Sequence, residues 1–147
     1  MKHLEKQEEN ERVVLDTNIF ISGIFWKGDS YDILELWKKE KINVVISDEI
    51  VFELLRTLSV FKIQLEYESK KNWIEFIYNN GIVILPKEKF NIIKDDPTDN
   101  KFIDAAIEGK AKYIITNDNH LLKIKEFRDI QIVTPSQFLK ANFISII

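Results

Sequence analysis

Residues 12–18 read RVVLDTN, and this stretch decides the fold. Four residues rich in β-branched apolar side chains predict a short buried strand. The strand ends on an aspartate, Asp16, followed at once by Thr17 and Asn18. A carboxylate at the end of a buried strand has few structural reasons to exist, because burial of an unpaired charge is costly. The same grammar recurs along the chain. NVVI (43–46), IVIL (82–85), KYIIT (112–116) and Ile130 to Val133 read as four further strands. Helical spacing fills the intervals, over Asn18 to Phe25, Tyr31 to Lys39, a stretch capped by Ser47 or Asp48, Gln64 to Tyr78, 97–108 and Asn119 to Ile124. Asn80-Gly81 and Gly109 read as helix stops, and Pro135-Ser136 opens a last helix through Leu139. The helix after the second strand carries Ile50, Val51, Leu54, Leu55 and Leu58 on its apolar side. Strands alternating with helices specify a parallel sheet covered on both faces, with right-handed crossovers.

Bulk properties narrow the function. The 147 residues make one domain, with 45% hydrophobic and 31% charged content. No apolar run reaches membrane length, and the charged start has no signal-peptide core. Cysteine is absent, so there are no disulfides or thiolate metal sites. A cytoplasmic location is expected. Net charge is −3, which argues against a basic nucleic-acid coat. It leaves room for an enzyme whose acids bind metal. Paired lysines such as Lys38-Lys39 and Lys70-Lys71 read as solvated faces. Residues 1–11 form a charged extension, 12–140 the domain, and 141–147 an apolar tail.

Four acids fall at strand ends or in the helix turns beyond them: Asp16, Glu53, Asp99 and Asp118. A parallel sheet collects its ligand-binding groups beyond the carboxyl ends of its strands. Carboxylates crowded there raise each other's pKa values, a cost that a cation removes. Taken singly each has a plain alternative: Asp99 as an N-cap, Asp118 as a turn residue, Glu53 as a solvated helix acid. Oxygen ligands and the scarcity of histidine favour Mg²⁺ or Mn²⁺ over zinc, and so phosphoryl chemistry by an activated water. His120 reads as a surface helix residue. Asp96 shapes the loop before Pro97, and Asp104 faces elsewhere on its helix. Arg56 shares the helix face of Glu53 and reads as an ion-pair partner or a contact to substrate phosphate.

The blocks VVLDTNIFIS (13–22), ISDEIVFELLRTL (46–58), DDPTDNKFIDAAIEGKAKYIITNDNHLL (95–122) and IVTPSQFL (132–139), in this order, resemble the PIN-domain family, of the toxin-type ribonucleases. The resemblance implies a three-layer α/β/α sandwich with a five-stranded parallel sheet of order 3-2-1-4-5. It implies that Asp16, Glu53, Asp99 and Asp118 bind metal and catalyse, with Asn18 and Thr116 orienting the site. It implies an RNA substrate, a protein antitoxin and a homodimer. The aromatic strip FISGIFW (20–26) could line a partner groove or belong to the core. Other classes fit less well. A haloacid-dehalogenase-type phosphatase needs an aspartate where Asn18 stands. A response-regulator receiver needs an acid after the third strand, where Leu85-Pro86 stands. A non-catalytic binding module sits poorly with a complete acidic set.

Overall fold

The computed structural model describes residues 10–143. Of the expected extension over 1–11 and tail over 141–147, residues 1–9 and 144–147 lie outside the described residues. The elements are β1 (Arg12–Leu15), α1 (Thr17–Phe25), α2 (Asp29–Lys38), β2 (Asn43–Ile46), α3 (Asp48–Val60), α4 (Tyr67–Asn80) and β3 (Ile82–Val83). A 3₁₀ turn (Pro97–Asp99) then leads into α5 (Asn100–Glu108), followed by β4 (Tyr113–Ile115), α6 (Asn119–Leu122), β5 (Glu126–Phe127), β6 (Ile130–Val133) and α7 (Pro135–Phe143).

The sheet order is β3-β2-β1-β4-β6-β5. Its first five members are parallel and follow the expected 3-2-1-4-5 order once β6 is taken as the fifth predicted strand. The correction is a sixth strand. Glu126–Phe127 pairs antiparallel with β6 at the sheet edge, closed by Arg128 at φ 53°. Two residues are too few to give a period-two signal. β1, β2 and β4 are buried along nearly their whole length, as strands covered on both faces must be. The edge strand β3 is shorter than IVIL suggested: Leu85 is 82% exposed, and Pro86 has no N–H to donate.

Helix packing closes the core. α5 lies across β1, β2 and β4. Trp37 of α2 packs edge-on to Phe20 of α1 and to Phe76 of α4, and Phe138 of α7 packs on Tyr113 of β4. Phe20 is thus core, while Trp26, at the other end of the same strip, is half exposed against Phe25 and Phe61. Leu55 turns outward on α3, against the sequence expectation, because the buried stripe there is the narrower set Ile50, Val51, Leu54 and Leu58. α7 continues to Phe143, past Leu139, since Phe143 packs on Phe138. No helix among the described residues is long and apolar enough to cross a membrane.

Gly109 does end α5, but not by adopting the left-handed conformation; its φ is −83°. The left-handed residue is Lys110, at φ 54°. Glycine is needed at 109 because a Cβ there would meet Val45 Cγ1 of β2 at 2.4 Å. Gly109→Ala should therefore lower stability by about 1–3 kcal/mol through overpacking. Lys110→Gly should leave stability unchanged or raise it, because its backbone conformation costs about 1–2 kcal/mol with a side chain. Urea denaturation of both variants measures the contrast; a neutral Gly109→Ala would refute the close-approach argument.

Candidate active site

β1 and β4 are neighbours, so their C-terminal ends stand side by side. Asp16 leaves β1 with its amide still bonded to the Ile115 carbonyl (3.1 Å). It is buried, at 5% exposure. Its Oδ2 accepts the Thr116 hydroxyl at 2.6 Å, and its Oδ1 accepts the Asn18 amide at 3.4 Å, which also caps α1. The same Thr116 oxygen accepts the Asp118 amide at 2.9 Å. One hydroxyl therefore sets the positions of two carboxylates. Thr116, expected to orient the site, thus bonds to both Asp16 and the Asp118 backbone. Asn18 supplies only its backbone amide, and the hydroxyl that reaches across the site from α1 is that of Thr17.

Glu53 points back from α3 over the sheet edge. One oxygen accepts the Thr17 hydroxyl; the other lies 2.7 Å from Lys101 Nζ. Lys101 is 8% exposed. Sequence reasoning passed over it, because a lysine two residues after Asp99 looks like a solvated helix position. The missing signal was the burial of 99–106, which leaves an ammonium no water and demands an acid partner. Arg56, by contrast, is exposed and forms no ion pair with Glu53; Lys101 has taken that place. Arg56 instead lines an open cleft of about 470 Å³ with Lys89, Phe90 and Lys101.

Asp99 comes from the 3₁₀ turn before α5. Its side chain caps nothing, so the N-cap alternative fails for Asp99, whereas Asp118 does cap α6 through the His120 amide (2.8 Å). Asp99 is held by its neighbours. The Asn100 side chain accepts the amides of Ile92 and Ile93 and donates to the carbonyls of Ile93 and Pro97. Asp104 accepts the Phe90 amide at 2.7 Å, and Asp96 accepts the Thr98 hydroxyl, which places both acids in loop anchoring. His120 is exposed, its ring 3.8 Å from Asp118.

The electrostatics identify the strained groups. Asp99 is 7% exposed, and its Oδ2 is the one buried side-chain polar atom among the described residues without a hydrogen-bond partner. Burial first, then the charge of Asp96, hydrogen bonding with Asp118 and the charges of Asp16 and Asp118 push its pKa up to about 7. Burial also raises Asp16; the bonds from Thr116 and Asn18 oppose this, and the charges of Asp118 and Glu53 add to it. Asp99 thus feels the charges of both Asp16 and Asp118. Among the described residues no group of three or more acids or histidines is arranged so that it could hold a metal ion. The donor set nevertheless suits a hard divalent ion, because oxygen is its only donor element and one buried oxygen lacks a partner.

The PIN domain profile matches residues 12–120 of the chain. An uncharacterized protein of Methanocaldococcus jannaschii is 33% identical over 152 residues, spanning 93% of this chain and 96% of that one. The fold is similar to VapBC2 from Rickettsia felis, solved bound to a DNA fragment from its promoter. The TM-score is 0.55 at 19% identity, over 82% of this chain and 96% of that one. It is also similar to FitAcB from Neisseria gonorrhoeae, with a TM-score of 0.51 at 15% identity, over 84% and 98%. With the profile running from β1 through the Asp118 turn, and a relative that aligns over nearly its full length, the chain belongs to the PIN-domain family.

Proposed function

We propose that this protein is a Mg²⁺- or Mn²⁺-dependent endoribonuclease that hydrolyses RNA phosphodiester bonds and acts as the toxin of a toxin–antitoxin pair. The observation that carries the reading is the buried Asp99 carboxylate, with an unpartnered oxygen and its charge opposed by Asp16 and Asp118. Asp16, Asp99 and Asp118 would hold the ion, and Glu53 stands beside them with both oxygens engaged by Thr17 and Lys101. A bound divalent ion supplies Lewis-acid polarisation of the phosphoryl oxygen and acidifies the attacking water. The chain's own contribution is preorganisation. Thr116 holds Asp16 and the Asp118 backbone in register, and Thr17 holds Glu53. Asn100 fixes the turn that presents Asp99.

Two open surfaces suit an extended strand. A cavity of about 420 Å³ adjoins Asp118 through Asn117 and offers Lys27, Ser22, Ser30 and Ser136. The cleft with Arg56 and Lys89 adjoins Glu53 through Lys101 on the other side. Splayed RNA loops are the substrates that such side chains read. For a protein inhibitor, α3 presents Phe52 (55% exposed) and Leu55, and Trp26 adds to the exposed apolar surface. VapBC2 and FitAcB are the relatives that motivate the antitoxin. The proposed homodimer is tested by sedimentation; a monomer mass at micromolar concentration would remove it. The compartment consistent with this reading is the cytoplasm.

Incubation of single-stranded and looped RNA with Mg²⁺ or Mn²⁺ tests the activity. Asp16→Asn and Asp99→Asn should each lower cleavage at least about a hundredfold. Wild-type activity in either variant, or cleavage unaffected by chelator, would defeat the proposal. Expression in cells should arrest growth, and Asp16→Asn should relieve the arrest.

Stability gives a second check. A carboxyl whose pKa rises on folding stabilises the fold fully below its ordinary value and loses that contribution as pH climbs through the raised one. Asp99 shifts from 3.8 to about 7, and Asp16 shifts the same way. Their contribution without divalent ions should therefore decline between about pH 4 and 7. Mg²⁺ should raise Tm at pH 7.5 and have little effect at pH 5. Differential scanning fluorimetry measures this, and an equal Mg²⁺ shift at both values would contradict it.

A further inference from the structure

We propose that Lys101 is a fixed second cation of the acidic centre, which limits the site to one divalent ion and keeps Glu53 out of its coordination sphere. The inference rests on the metal-dependent reading above and deepens it. Among the described residues, Glu53 is the one of the four carboxylates that has a lysine or arginine as its ion-pair partner. Its Oε1 lies 2.7 Å from Lys101 Nζ, and its other oxygen accepts the Thr17 hydroxyl. The ammonium is 8% exposed and rises from the helix that follows Asp99, beside Phe102, whose ring centroid is 5.3 Å away. It cannot swing into solvent without leaving Glu53 as an unpaired acid and exposing a buried stem.

Asp16, Asp99 and Asp118 stand differently. Asp99 is buried, and its Oδ2 has no hydrogen-bond donor among the described residues. Among the described residues no lysine or arginine pairs with any of the three. Magnesium commonly takes one or two carboxylates and keeps several waters, so these three acids suffice for one ion. A second ion bridging toward Glu53 would have to sit beside the Lys101 ammonium, and like charges at contact range exclude each other. Two-ion nucleases place their ions roughly 3.5–4 Å apart to stabilise the attacking and leaving oxygens. Here the Lys101 side chain stands against Glu53, in the place that a second ion would need. Lys101 is in this sense a positioning residue for Glu53.

Counting bound Mn²⁺ on the full chain tests this, by native mass spectrometry and by electron paramagnetic resonance, with no cleavage assay involved. Wild type should bind one ion with an uncoupled spectrum. Lys101→Met should gain a second ion and the broadened signal of a coupled pair. Glu53→Gln should still bind one ion, and Asp99→Asn should bind none at the same Mn²⁺ concentration. Two ions on wild type, one ion on folded Lys101→Met, or loss of the ion in Glu53→Gln would each overturn the role of Lys101 while leaving the nuclease reading intact. Should Lys101→Met fail to fold, the wild-type and Glu53→Gln counts decide the matter alone. No ion on wild type at millimolar Mn²⁺ would bring down the metal reading itself, and this inference with it.

Discussion

The Thr116 hydroxyl is buried between two strand ends, donating to Asp16 and accepting from the Asp118 backbone. Hydrogen bonds to charged groups contribute roughly 1.5–3 kcal/mol, twice or more the neutral kind. Here the bond offsets part of the cost of burying Asp16 so close to other acids. It depends in turn on the parallel register of β1 and β4, which sets Leu15 opposite Ile115. A slip of one residue would turn Thr116 to the other face and dissolve the site. Core, sheet and chemistry are thus coupled through one side chain whose exposure is zero.

Around that point the acids divide into two groups. Glu53 is satisfied, by Thr17 and Lys101. Asp16 and Asp99 are strained, first by burial away from water and then by the charges of neighbouring acids. Groups pushed so far from their ordinary pKa cluster where chemistry is done. The fold supports that strain with rigid neighbours. The long connection from β3 to the Asp99 turn is tied to α5 by Glu108, Asp104 and Asn100, each taking backbone amides that have no sheet partner. These buried or half-buried polar groups of α5 serve the connection that presents Asp99.

The apolar surface follows from the same economy of burial. The inward stripe of α3 is narrow, so Phe52 and Leu55 remain outside. The aromatic strip of α1 begins in the core at Phe20 and ends half exposed at Trp26, since the helix rotates its residues from one environment to the other. Composition alone cannot separate those two ends.

Much was legible before any coordinates. Five β-branched runs between helical spacings specify the alternating parallel architecture, and Asp16 and Asp118 follow from their place after apolar runs. Local pattern carries such features, because strand burial and helix period are properties of contiguous residues. The short antiparallel β5, the exposed face of Leu55 and the close approach that Gly109 permits were not legible. Each depends on what a distant segment brings alongside: β6, the sheet and Val45. The same holds for the site. The sequence by itself determined which acids lie at strand ends. Only the tertiary structure decided that Lys101, not Arg56, meets Glu53, and that Asp99 is left with a bare oxygen. The reason is that pairing between charges 48 residues apart is a matter of through-space distance, which no local pattern encodes.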